Sequence, residues 1–359
     1  MWIYASAIAP LFLGPIWVRA AEVEPIRIID AKCEAWSGIG LSSNGRQLFC
    51  YDIWTVHQVD LCDNEESPER PLPKQLRGER IYSGAHVEKD IWLLSLDPSA
   101  FRVDADGKDN RFVLFDFAAE AVLADWSAHH HSGCDLAVAP KQNWLITAGS
   151  SPKDVTVCFW DRKTQKQIRE IDLAKELKLK AAPGSWIETK AIAIDPTSSF
   201  LAFGFHGGMI YTLDLKENVW HEVVPKQAGL IGSLNFVNDR ILAVRYIGIL
   251  KSGKIDLHDW KAKTKLFSIE YDGASLTPIA VAPDKRTIAV GATSKNGGDV
   301  HFWDVTSQKE ITSFHACDNT GLRMLTFDAD GKRLITSSRD GTIRIWNAEQ
   351  ILKEKRAKK

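Results

Sequence analysis

A short ending recurs along this chain, and that recurrence constrains the fold more than any other feature. TVCFWD closes at Asp161, DVHFWD at Asp304 and TIRIWN at Asn347. Weaker copies follow once the spacing is known: VHQVDL, FVLFDF, IYTLDL and IDLHDW. The acid or amide position falls at Asp60, Asp116, Asp161, Asp214, Asp259, Asp304 and Asn347, which gives seven copies with a base period near 45 residues. Two further pieces precede the ending. One is a strand followed by a Pro, Asp or Gly turn: LSLDP at Leu94–Pro98, LAVAP at Leu136–Pro140, IAIDP at Ile192–Pro196, IAVAP at Ile279–Pro283 and LTFDADG at Leu325–Gly331. The other is an apolar run just after that turn, such as WLITAG, RILAVR or RLITSS. A fourth strand follows the ending, as in KQIREI, KLFSIE and KEITSF. Four strands cannot bury both faces of their sheet alone, so the units must stack on one another.

These residues resemble the WD-repeat β-propeller family over nearly all of the chain from about Pro25 to Asn347. The resemblance implies an all-β fold: a seven-bladed β-propeller of four-stranded antiparallel blades. It also implies hydrogen-bonded tetrads of His, Ser or Thr, Asp and Trp. In the last copy the matching residues are His315, Thr336, Asp340 and Trp346; in the third they are His131, Thr147, Asp154 and Trp160. Phe314 replaces the family's glycine, copy six has Gly297 at the Asp position, and copy four has Leu213 for Trp. The last copy has no room for a fourth strand before EQILKEKRAKK. Ile26–Ile29, in PIRIID, has the pattern of that strand, so the ring is expected to close by pairing the N-terminal strand with the last blade.

The expected organisation is a leader over 1–20, a propeller over 21–348 and a basic tail over 349–359. The leader is apolar from Trp2 to Val18 and reads as a secretory signal cut after Ala20; a disordered extension and a retained anchor are the other readings. A cleaved signal implies a periplasmic or secreted protein, and otherwise the cytoplasm. Six cysteines form no C-x-x-C pair and read as buried small hydrophobes, which leaves the compartment open. The 45 basic residues against 46 acidic ones give a net charge of −1, so no global field draws the chain to nucleic acid.

No phosphate loop, H-E-x-x-H motif or G-x-S-x-G elbow is present. His129–His131 with Cys134 is the tempting metal cluster; it reads instead as one structural histidine, His131, and two loop histidines. No catalytic residue, cofactor or metal is expected. In the resembled family the residue before the turn Asp sits on the rim where partners dock. The register puts Asp52, Lys108, Lys153, His206, Lys251, Asn296 and Arg339 there, a largely basic set suited to an acidic peptide. Two insertions stand out. Cys62–Gly84 is expected as an excursion within the first blade, and Ala174–Trp186 as a short helix near the rim with Trp186 as an aromatic anchor. The function expected is a non-catalytic scaffold for a protein or peptide partner, acting as a monomer or as a subunit of a complex. The alternatives are a propeller enzyme, either a quinoprotein-like dehydrogenase or a lactonase-like hydrolase, and a binder of an anionic polymer.

Overall fold

The computed structural model describes residues 23–30, 38–41, 47–51, 55–60, 70–71, 76, 79–98, 109–130, 135–149, 155–179, 189–205, 207–225, 229–247, 253–271, 273–277 and 279–356. Among them the chain is built from antiparallel strands with two short helices. In chain order, sheet one spans Gly38–Leu41 to Arg70–Pro71 and sheet two Glu79–Glu88 to Ala121–His130. Sheet three spans Asp135–Ala139 to Gln167–Asp172, sheet four Thr189–Ile194 to Trp220–Val224, and sheet five Leu230–Phe236 to Thr264–Glu270. Sheet six runs from Ser275–Leu276 to Lys309–Asp318, and sheet seven from Leu322–Phe327 to Thr342–Asn347.

The expectation of seven four-stranded blades is corrected. Six of the sheets are four-stranded, and sheet six has five strands. Its inner strand is split into Ser275–Leu276 and Ala280–Val281, both paired with Thr287–Ser294. The sequence supplies a reason, because Pro278 between them has no amide hydrogen to give to a ladder. Thr277 spans the break: its amide donates to Gly291 O at 2.9 Å, and its hydroxyl accepts from Gly291 N at 3.0 Å.

Arg27–Asp30 completes sheet seven, pairing antiparallel with Thr342–Ile345, with Ile29 opposite Ile343. Ile29 is buried while Ile26 and Ile28 are exposed, the alternation of a strand with one covered face. The chain's beginning and its last sheet therefore share one ladder. Neighbouring sheets bury apolar faces on each other; Phe302 and Phe314 of sheet six pack with Leu334 and Trp346 of sheet seven.

The recurring acid has a structural task. Asp116, Asp161, Asp214, Asp259 and Asp304 each end a third strand and accept amide hydrogens from the turn that follows. Four residues beyond each acid, Glu120, Gln165, Asn218, Lys263 and Gln308 have φ between 53° and 58°. The side-chain cap holds a tight turn that needs one left-handed residue.

Three other expectations are corrected, those for Leu94–Pro98, for the Cys62–Gly84 insertion and for the helix in Ala174–Trp186. Leu94–Pro98 lies in the second strand of sheet two, Ile91–Pro98, and the first strand is Glu79–Glu88. The insertion at Cys62–Gly84 is not an excursion inside sheet one: it supplies that sheet's fourth strand, Arg70–Pro71, and the start of sheet two. The basic tail begins as a helix, Ala348–Arg356, whose Ile351 is buried against the core of sheets six and seven. The helix expected in Ala174–Trp186 is a single turn, Leu173–Glu176, capped by Asp172.

Candidate interaction end of the propeller

Tryptophan anchors tie the third strands to their neighbours. Trp346 Nε1 donates to Thr336 Oγ1 at 2.9 Å, and Trp160 Nε1 donates to Thr147 Oγ1 at 3.1 Å. The expected histidines do not complete these sets. His131 and Asp154 lie outside the described residues. In sheet three the Thr147 hydroxyl meets His129 Nε2 at 2.9 Å, and His129 Nδ1 meets Thr156 Oγ1 at 3.0 Å. His129 is wholly buried, so it is not a loop histidine.

His315 departs further. Its side chain is 42% exposed, with Nδ1 at 2.7 Å from Asp299 and Nε2 at 2.9 Å from Asp318. The register explains this. Arg111 opposes Ser127 in sheet two as Asp299 opposes His315 in sheet six. The place of His129 therefore belongs to Cys317, whose Sγ donates to Thr320 O at 3.5 Å. Burial pushes the Cys317 thiol up to about 11, so it stays protonated. Gly297 shows why its copy lacks the turn acid: its φ is +134°, and a Cβ there would strike the Cys317 carbonyl.

Asp340 does not meet His315 either. It accepts from Ser338 Oγ, from Thr342 N at 2.9 Å and from Arg344 Nη2 at 3.0 Å. Burial raises its pKa, but these donors outweigh burial and bring it down to about 2.

The His315 clamp has a pH signature. Partial burial disfavours the imidazolium, but its hydrogen bonds to Asp299 and Asp318 outweigh that, and the net pKa is raised. A raised histidine pKa contributes stability that is complete below the unfolded value, near 6.5, and is lost as pH rises through the folded one. His315→Ala should therefore melt below the parent at about pH 5.5 and converge with it towards about pH 9. Thermal midpoints across that range check it; a constant gap would show a packing effect alone.

Two ends of the ring differ. One carries the turns between third and fourth strands, held by the aspartate caps. There Arg240 pairs with Asp259, and Arg286 with Asp304 at 2.5 Å. The other carries the turns between second and third strands, where the expected rim lies. Contacts between neighbouring sheets join this end: Leu322 N donates to Thr293 Oγ1 at 3.0 Å, and Arg245 Nη1 to Leu276 O at 3.2 Å. Lys108, Lys153, His206, Lys251 and Trp186 are outside the described residues. Arg339 and Asn296 are described, and both are exposed. The Arg339 amide donates to Gly321 O at 2.9 Å.

Between the innermost strands of sheets two to seven lies a cavity of about 500 Å³. Val138, Ile192, Leu234, Ile279 and Phe327 line it, and His86 is its ionisable member.

Fold and repeat together are those of a β-propeller whose repeats resemble WD repeats. The WD40 family profile, "WD domain, G-beta repeat", matches residues 308–347. The chain is 28% identical over 219 residues, 58% of its length, to Telomerase protein component 1 of Rattus norvegicus, where the match covers 8% of that protein. It is 29% identical over 110 residues, 29% of its length, to the Protein LST8 homolog of Drosophila melanogaster, covering 34% of that protein. It is 28% identical over 92 residues, 24% of its length, to the Target of rapamycin complex subunit wat1 of Schizosaccharomyces pombe, covering 28% of it. The matched stretch thus spans about a third or less of each of these relatives. Among the described residues, no helix is long and apolar enough to cross a membrane.

Proposed function

We propose that this chain is a non-catalytic scaffold that holds a protein or peptide partner on the end of the ring carrying the second-to-third-strand turns. The observation that carries the reading is the kind of protein the repeat resembles: two relatives are named as a component or a subunit, of telomerase and of a target of rapamycin complex. A ring closed by pairing its first strand with its last sheet holds its turns rigidly, and loops on a rigid scaffold are where binding resides.

The rim set Lys108, Lys153, His206, Lys251 and Arg339, with Trp186 as an aromatic anchor, would favour an acidic partner over nucleic acid. Residues 1–20 act as the leader, 21–348 as the propeller and 349–359 as the basic tail. The protein works outside the cytoplasm if the leader is cleaved and within it otherwise, as a monomer or as one subunit of a complex. Affinity capture from the native compartment tests the reading, comparing the parent with Lys153→Glu plus Arg339→Glu. Defined proteins enriched by the parent should be depleted at least about tenfold by the charge reversal. Unchanged recovery, or no protein enriched by the parent, overturns it.

A further inference from the structure

We propose that Arg323 and Arg339 form a binding site for an aspartate or glutamate side chain of a protein partner. The site lies on the second-to-third-turn end of sheet seven. It rests on the scaffold reading above and deepens it by naming the residues and the chemistry they recognise.

Six other arginines of this chain pair with carboxylates, while Arg169 donates to the Asn218 side chain. Arg111 pairs with Asp125, Arg162 with Glu88, Arg240 with Asp259, Arg286 with Asp304, Arg333 with Asp328 and Arg344 with Asp340. Arg245, Arg323 and Arg339 have no carboxylate partner among the described residues. Arg245 donates only to neutral acceptors: Ser233 Oγ at 3.3 Å, Gly232 O at 3.3 Å and Leu276 O at 3.2 Å. Arg323 Nε is buried with no hydrogen-bond acceptor among the described residues. The Arg339 side chain is exposed, and its Nε stands 3.5 Å from where a Cβ on Gly321 would lie.

Their placement is not scattered. Arg245 opposes Ser233 near the end of its second strand, and Arg323 lies in the bulge opposite Ser337 and Ser338. Arg339 follows Ser338 in the turn itself. All three thus sit at the same end of the ring, Arg245 in sheet five and both Arg323 and Arg339 in sheet seven. Two of them are close enough to repel: burial lowers the Arg323 pKa first, and the Arg339 charge lowers it further. Burial alone lowers that of Arg245.

The nearby carboxylates do not relieve this. Asp340, next to Arg339 in sequence, is held by Ser338, Thr342 and Arg344. Asp299 and Asp318 are held by His315. A guanidinium with a buried, unanswered N–H beside a second guanidinium lacks one thing, an anion with two acceptor oxygens. A carboxylate supplies it in the forked geometry that arginine matches.

The test uses the intact chain and a fluorescein-labelled hexaglutamate peptide, read by anisotropy. The parent should bind with an affinity that falls as salt rises. Arg323→Gln plus Arg339→Gln should weaken binding at least about tenfold, the scale of losing a charge-assisted pair. Arg323→Lys plus Arg339→Lys should recover part of it. Arg286→Gln, at the opposite end, should leave it within about twofold. Thermal midpoints confirm that each variant is folded.

Binding by the parent that is unmoved by the paired Gln variant, yet lost in Lys153→Glu plus Lys251→Glu, overturns this site and leaves the scaffold reading standing. Arginine-dependent binding of a phosphoserine peptide without binding of hexaglutamate overturns the carboxylate assignment. No peptide binding by the parent overturns the inference, whereas the capture experiment separately decides the scaffold reading.

Discussion

Trp346→Ala should lower the unfolding free energy by about 3–5 kcal/mol, the largest single-residue loss expected in this chain. Trp346 is 1% exposed and packs against Phe314 with the rings tilted at 53° and 4.6 Å between their centres. Its indole N–H is answered by Thr336 Oγ1 at 2.9 Å. Truncation removes the area buried between sheets six and seven, opens a void and leaves a buried hydroxyl short of one partner. Thr336→Val separates these effects, because it keeps volume and strands only the N–H, at about 1–3 kcal/mol. Chemical denaturation of the two variants checks the pair. Equal losses would mean that the hydrogen bond, not the packing, dominates.

Ile29→Pro is expected to cost several kcal/mol by a different route. Ile29 is 5% exposed and faces Ile343 in the ladder that joins the start of the chain to sheet seven. Proline removes a ladder donor and the burial of one isoleucine, worth about 1.5–3 kcal/mol, and disrupts the strand that covers the last sheet's edge. The loss should exceed that of Ile28→Pro, since Ile28 is 56% exposed and contributes little burial. Denaturation midpoints of the two variants make the comparison. A larger loss for Ile28→Pro would place the buried face wrongly.

Much of this architecture is legible in the sequence because the same physical problem is solved repeatedly. In sheets two to six the third strand must turn tightly into the fourth, and an aspartate cap with a left-handed residue four positions on does it in all five. The first strand of sheet two escaped notice for the opposite reason. ERIYSGAHVE is polar and sits at the end of an insertion, so the apolar run WLLSLDP looked like the first strand when it is the second. The histidines misled through a bulge. An extra residue in the outer strand shifts the side chains, and the buried position falls thirteen residues after the capping acid: at His129 after Asp116, and at Cys317 after Asp304. Counting from the acid finds both, whereas searching for a histidine finds neighbours two residues away. The arginine site was illegible for a plainer reason. Only pairing partners distant in sequence reveal that, among the described residues, Arg245 and Arg323 are left without a carboxylate.

Hydrogen–deuterium exchange, resolved to single amides on the intact chain, tests ring closure most directly. The Ile26 amide donates to Ile345 O at 2.7 Å, and the strand Arg27–Asp30 is paired along its length with sheet seven. Its bonded amides should exchange far more slowly than free chain and lose protection together with those of Thr342–Asn347 as denaturant is added. Free-chain exchange over Ile26–Asp30, beside a protected Thr342–Asn347, would contradict the account.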